Sequence, residues 1–164
     1  MIASNWEEFA RSAPELAKLG EDRLRTPGVA LLGTLRRDGS PRISPCEVFV
    51  VDGDLMLGMM WRSRKALDLL RDPRVVVHST LTSREGTEGD FKLSGRVREV
   101  TDPHRRTRYG DTLQEAIDWR PSEPFHLFAV DIEQIGFIRF GEDHAALRWT
   151  PEDGLEELRH PDTN

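Results

Sequence analysis

The stretch "GVALLGTLRRDGSPRISPCEVFVVDGDLMLGMM", Gly28 to Met60, decides the fold. It holds three apolar runs separated by two Asp-Gly pairs, Asp38-Gly39 and Asp52-Gly53. Asp-Gly between β-rich runs is a hairpin signal, because the tightest hairpin turns need positive φ at both central positions. The reading is a strand over Gly28–Leu35, a second over "PRISPCEVFVV" and a third over Asp54–Met60, forming an antiparallel three-strand meander.

Outward from this core, the N-terminal side reads as helix. Ser4-Asn5-Trp6-Glu7 and Ser12-Ala13-Pro14-Glu15 each have the form of a capping box. Residues 5–20 are therefore expected to form two short helices or one kinked helix. On the C-terminal side, "KALDLLRD" reads as a short helix ended before Pro73, and "RVVVHSTL" as a fourth strand. "FKLSGRVREV" alternates, with Phe91, Leu93 and Val97 on one face and Lys92, Ser94, Arg96 and Arg98 on the other. Asp102-Pro103 starts a helix reaching about Trp119. "FHLFAVDI", "IGFIRF" and "HAALRWT" complete the strands, and the polar tail from Pro151 is expected to be loosely held. About seven mostly antiparallel strands with short helices favour a barrel or sandwich, in the mainly β class. The chain reads as one domain over 1–164, with a helical segment at 1–24 and the tail at 151–164.

Composition narrows the function. The formal net charge of −6 disfavours general nucleic-acid binding, which needs a basic face. With 37% hydrophobic and 32% charged residues, the domain is expected to leave a face for a copy of itself. No signal-peptide pattern and no run of about 18 apolar residues is visible, so no membrane association and a cytoplasmic location are expected. The single cysteine, Cys46, rules out an internal disulfide and reads as a small buried hydrophobe, a nucleophilic pairing with histidine remaining open. The five histidines, His78, His104, His126, His144 and His160, are scattered, read as strand-edge or surface residues, and suggest no metal site.

The positive signal is "WRSRKALDLLRDPR", Trp61 to Arg74. Arg62, Arg64 and Lys65 crowd the start of a helix, where the macrodipole disfavours cations. Either the turn is solvated, or it holds an anion. Ser63 offers a hydroxyl, and the free N–H groups of a first helical turn suit a phosphate. The segment "PHRRTR", with His104, Arg105 and Arg106, also crowds a helix start, so charge alone does not decide. Pro45 and Gly58, on adjacent strands leading to the basic turn, add that a flat ligand could approach the backbone there.

Together these residues resemble the pyridoxamine 5′-phosphate oxidase-like split-barrel superfamily, which includes flavin- and deazaflavin-dependent oxidoreductases. The resembling pattern is a strand, the turn DGSP, a strand with serine, the turn DGD, a strand, then S-R-K-A-x-x-L-x-x-D-P-R. The resemblance implies a six-stranded antiparallel split barrel working as a homodimer, with FMN, or alternatively F420, at the interface. It assigns Ser63 and Lys65, with Arg62 or Arg64, to the phosphate-binding turn. It lays Leu57, Gly58, Met59 and Met60 along the ring system, faced by Ile43, Ser44 and Pro45. The implied activity is reduction of a small organic substrate by hydride transfer; the cofactor carries that chemistry, and no catalytic residue is assigned. A non-catalytic flavin- or haem-binding sensor or carrier of the same fold, and an interaction module with a solvated basic turn, are the other readings. The arginine-rich substrate segment of authentic pyridoxamine phosphate oxidases is not matched by the ending "LEELRHPDTN", which argues against that substrate.

Overall fold

A computed structural model describes residues 2–159. Helices α1 (Trp6–Ser12) and α2 (Pro14–Arg25) break at Ala13, because Pro14 has no N–H to continue the first helix. The capping box sits one residue later than the sequence suggests. Asn5 Oδ1 accepts from the Glu8 amide at 2.8 Å, and Glu8 returns the bond to the Asn5 amide at 3.0 Å. Ser12 is drawn elsewhere, its hydroxyl accepting from Trp149 Nε1 at 3.1 Å, and α2 has no side-chain cap.

Strands β1 (Ala30–Leu35) and β2 (Pro41–Cys46) form one antiparallel hairpin, and β3 (Val48–Val51) and β4 (Asp54–Met60) form another. The expected three-strand meander is therefore corrected to two hairpins. The run "PRISPCEVFVV" is not one strand: it changes partner at Glu47, pairing with β1 before it and with β4 after it. The two turns also differ. Asp52 and Gly53 both take positive φ, as the tightest hairpin requires, whereas at the first turn only Gly39 does. There Asp38 Oδ1 accepts from the Ser40 amide and hydroxyl, so the loop spans 36–40.

Helix α3 (Arg64–Arg71) follows, then β5 (Arg74–Ser79), β6 (Asp90–Glu99), α4 (Pro103–Ile117), β7 (Phe125–Arg139), β8 (Ala145–Thr150) and β9 (Gly154–Glu157). Two expected strands merge in the 15-residue β7, which bends past the register shift opposite Ser94/Gly95 without losing its ladder. The tail is also corrected: Gly154–Glu157 pairs with β8 instead of lying loose, while 160–164, including His160, lie outside the described residues.

The strand order is β2-β1-β5-β6-β7-β4-β3, with β8 and β9 continuing from β7. Its two ends, β2 and β3, are consecutive in the chain and joined at Glu47, so the sheet returns on itself around one core with a seam there. Leu32, Leu57, Val77, Leu93, Phe128 and Trp149 fill that core, closed from one side by Trp6, Phe9 and Leu16 of α1 and α2. A second cluster, including Met56, Leu113, Leu127 and Tyr109, lies under α4 on the outer face of β4 and β7. The fold is the mainly β split barrel. No helix among the described residues is long and apolar enough to cross a membrane.

Candidate functional site

The basic turn is built by three residues between β4 and α3. The Ser63 amide donates to the Met60 carbonyl at 3.1 Å, and Arg62 sits at φ +57°. Left-handed backbone is costly for a residue with a Cβ, and such strain concentrates at functional sites. The first helical bond of α3 is Leu67 N–H to the Ser63 carbonyl, at 3.0 Å. The amides of Arg64, Lys65 and Ala66 precede that bond and have no partner within the helix. Ser63 occupies the N-cap position, yet its side chain makes no capping hydrogen bond. Its hydroxyl oxygen is buried and has no hydrogen-bond partner among the described residues. A buried polar atom without a partner is rare and asks for one.

The competing basic segment is resolved by its contacts. Arg105 pairs with the buried Asp54, Arg106 with Glu123 at 2.9 Å, and Arg108 with Asp52 at 2.7 Å. Arg106 also donates to the carbonyls of Val100 and Phe125. That cluster ties α4 to the sheet. By contrast, neither Arg62 nor Arg64 makes an ion pair among the described residues. Lys65 meets only a carbonyl, donating to Pro45 O at 2.5 Å.

The turn opens into a cavity of about 570 Å³. Pro45, Gly58, Met59, Met60, Ser63 and Lys65 all line it. Six of the eleven sequence-selected residues thus converge. The other five do not line this cavity. Leu57 is fully buried in the barrel core. Ile43 is 67% exposed on the outer face of β2, because side chains alternate along the strand. Ser44, Arg62 and Arg64 stand beside the lining without forming it.

Gly58 has a different reason from the one its sequence position suggested. A Cβ there would lie 2.2 Å from Tyr109 Oη, so the space is taken by a side chain of the protein itself. Tyr109, from α4, lines the cavity beside Trp119, Pro121 and Pro124. Burial, with the nearby Cys46 and Glu47, pushes its hydroxyl well above the ordinary phenol value against the opposing Gly58 backbone bond, so it stays a neutral phenol. Cys46 is likewise disarmed: burial raises its thiol to about 11, with Lys65 opposing and Glu47 adding to the rise. Its Sγ lies 3.2 Å from the Glu47 carbonyl and 3.5 Å from that of Gly58. At neutral pH it is a thiol, not a nucleophilic thiolate.

Two supports of the site were not visible in sequence. Asp68, buried on α3, accepts from Arg42 Nε at 2.6 Å, Thr34 Oγ1 at 2.9 Å and Arg71 Nη2 at 3.2 Å. It fastens the helix behind the turn to β1 and β2. His126 is buried, not a surface residue as its scattered position suggested, and Trp61 stacks on it with centroids 4.5 Å apart. That stack fixes the residue at the entrance to the turn. Apart from Asp68 and Arg71, three residues apart on α3, these partners are distant in sequence, and Trp61 beside a basic turn was the one signal for the stack. No cluster of three or more His, Cys, Asp or Glu side chains among the described residues could hold a metal ion.

Among solved structures, a pyridoxamine 5′-phosphate oxidase-related, FMN-binding protein from Nostoc punctiforme is similar, with a TM-score of 0.67 and 16% identity over 90% of this chain and 96% of that one. A haem-binding protein from Mycobacterium smegmatis gives a TM-score of 0.61 and 18% identity over 82% of this chain; the match spans 58% of that protein's length. HutZ, the haem storage protein from Vibrio cholerae, gives 0.58 and 16%, over 75% of this chain and 92% of that one. At these identities the likeness is one of fold. No curated protein matches the chain. The sequence profile of pyridoxamine 5′-phosphate oxidase, however, matches residues 17–139, a span running from α2 through the basic turn to the end of β7. The chain belongs to the pyridoxamine 5′-phosphate oxidase family.

Proposed function

We propose that the chain binds FMN in the 570 Å³ cavity and acts as an oxidoreductase, reducing a small organic substrate by hydride transfer. The observation that carries this reading is the buried, unpartnered hydroxyl of Ser63 at the mouth of a turn with three cations. A phosphate there would accept from Ser63, the first-turn amides and the Lys65 ammonium, which needs only to leave the Pro45 carbonyl. Gly58, Met59 and Met60 would run beside the ring, with Pro45 opposite. Bound FMN would supply the hydride chemistry; the protein's part is to orient it and exclude water. Tyr109, held neutral, can donate a hydrogen bond into the cavity but cannot serve as a base.

F420, also a phosphorylated redox cofactor, is the alternative. Haem, in a protein that stores or senses without turnover, is the second reading; the names of the mycobacterial and Vibrio proteins favour it. Parallel titration with FMN, F420 and haem separates them. Micromolar or tighter binding of FMN or F420 is expected, and binding of neither would remove the oxidoreductase reading.

The proposed assembly is a homodimer in the cytoplasm. Leu31, Ile43 and Val76 are exposed on the outer face of β2, β1 and β5, where Gly33 pairs with both Ile43 and Val76 and leaves a dent between them. A contiguous apolar patch of this kind marks an interaction surface. Ile43→Arg is expected to convert the dimer to monomer at micromolar concentration in sedimentation velocity. An unchanged sedimentation coefficient would move the interface elsewhere.

A further inference from the structure

A second trough of about 680 Å³ lies between the C-terminal half of α2, strand β3 and the last turns of α4. That is ample for a small organic molecule. Val48, Phe49 and Val50 all line it. Side chains alternate along a strand, so three consecutive residues share one recess only when the strand presents its edge. Among the described residues β3 pairs with β4 alone, and its other edge there carries backbone N–H and C=O groups outside the ladder. Leu55 closes the floor, and Ile117, 44% exposed, forms the α4 wall.

The charges are unequal. Glu21 and Arg25, one turn apart on α2, approach at 3.9 Å, and Glu21 also accepts from Trp6 Nε1. They offset each other. Glu47 is the third charged residue of the lining, and its carboxylate makes no ion pair or hydrogen bond among the described residues. Lys65, across the seam, is engaged by Pro45 O. The trough is thus largely apolar, with one net negative charge, the solvent-exposed Glu47, at one end. That arrangement attracts a cationic head on an apolar body and repels an anion of the same shape.

We propose that this trough is a binding site for a small apolar amine, with Phe49, Leu55 and Ile117 taking its body and Glu47 its ammonium. The trough's free β3 edge supplies backbone carbonyls for the remaining ammonium protons. Glu47 and Val29 also line the first cavity, so the amine's head lies where the two recesses meet. The site stands independently of the cofactor reading, since it is tested on the chain without added flavin.

The test is calorimetric titration with phenethylamine and with 3-phenylpropionate, which share a phenethyl body and differ in the sign of the head group. The amine is expected to bind with a dissociation constant of roughly 1 mM or below, given its few heavy atoms, and the acid at least tenfold more weakly. Glu47→Gln should weaken the amine about tenfold, the loss of one charge-assisted contact. Ala116→Trp, an exposed α4 substitution that fills the trough, should abolish amine binding while leaving the circular dichroism unchanged. Equal affinity for amine and acid, no amine binding at millimolar concentration, undiminished amine affinity in Glu47→Gln, or amine binding that survives Ala116→Trp would overturn the proposal. Survival in Ala116→Trp would place the amine in the first cavity.

Discussion

Lys65→Ala is expected to weaken FMN binding at least tenfold, read by quenching of flavin fluorescence. An ammonium–phosphate contact is a charge-assisted hydrogen bond, and removing one costs about 1.5–3 kcal/mol, or roughly ten- to a hundredfold in affinity. In the free protein Lys65 donates only to the Pro45 carbonyl. That carbonyl lies at the surface-facing end of β2 and can turn to water, so the folded state should lose little. Loss of affinity with an unchanged melting temperature is therefore the signature of a phosphate contact. Ser63→Ala provides the complementary case. It removes a buried oxygen that has no partner, so it should stabilise the free protein slightly while weakening FMN. Undiminished affinity in Lys65→Ala would sink the phosphate assignment.

The largest effect on stability is expected from Asp68→Ala, at about 3 kcal/mol by chemical denaturation. Its carboxylate is buried and accepts from three donors on three elements. Without it, the buried Thr34 hydroxyl loses its partner, and Arg42 and Arg71 lose the anion that holds them. Burial alone would raise its carboxyl, but the hydrogen bonds from Arg42, Thr34 and Arg71 and the charge of Arg42 overcome burial and hold it below its ordinary 3.8. A depressed folded value means that the carboxylate's contribution is complete above 3.8 and is lost as pH falls through the lower folded value. The gap in stability between wild type and variant should accordingly be constant near neutrality and narrow in acid. A gap that stays constant down to the acid transition would assign the loss to packing instead. FMN affinity should fall as well, because Asp68 fastens the helix whose first turn is the candidate site.

The two Asp-Gly pairs made the hairpins legible before any coordinates, because turn geometry is a local property of two residues. The change of partner at Glu47 was not legible. Nothing within "SPCEVF" marks it, since a strand that switches neighbours keeps the same extended backbone and the same apolar content. The same limit applies to the site. The basic turn stood out through its charge, yet "PHRRTR" stood out equally; only Asp52, Asp54 and Glu123, each distant in sequence, tell the paired cluster from the unpaired one. Gly58 was noticed for the space it leaves. Which group fills that space, Tyr109, depends on where α4 docks, and docking is set by contacts across the whole sheet. Trp119, Pro121 and Pro124 carry no local signal for a similar reason: Trp119 reads as the end of a helix and the two prolines as an ordinary loop after it.

The join at Glu47 has a consequence for traffic. Elsewhere around the perimeter, neighbouring strands are held by ladder hydrogen bonds, and parting them would cost several bonds at once. Between β2 and β3 no ladder exists, and the two recesses meet at that residue. A molecule passing from solvent into either recess, or from one to the other, has to displace side chains and water only. Rotamer exchange at an exposed position takes nanoseconds, whereas opening a sheet takes microseconds or longer. The barrel thus carries a doorway whose use leaves its walls standing.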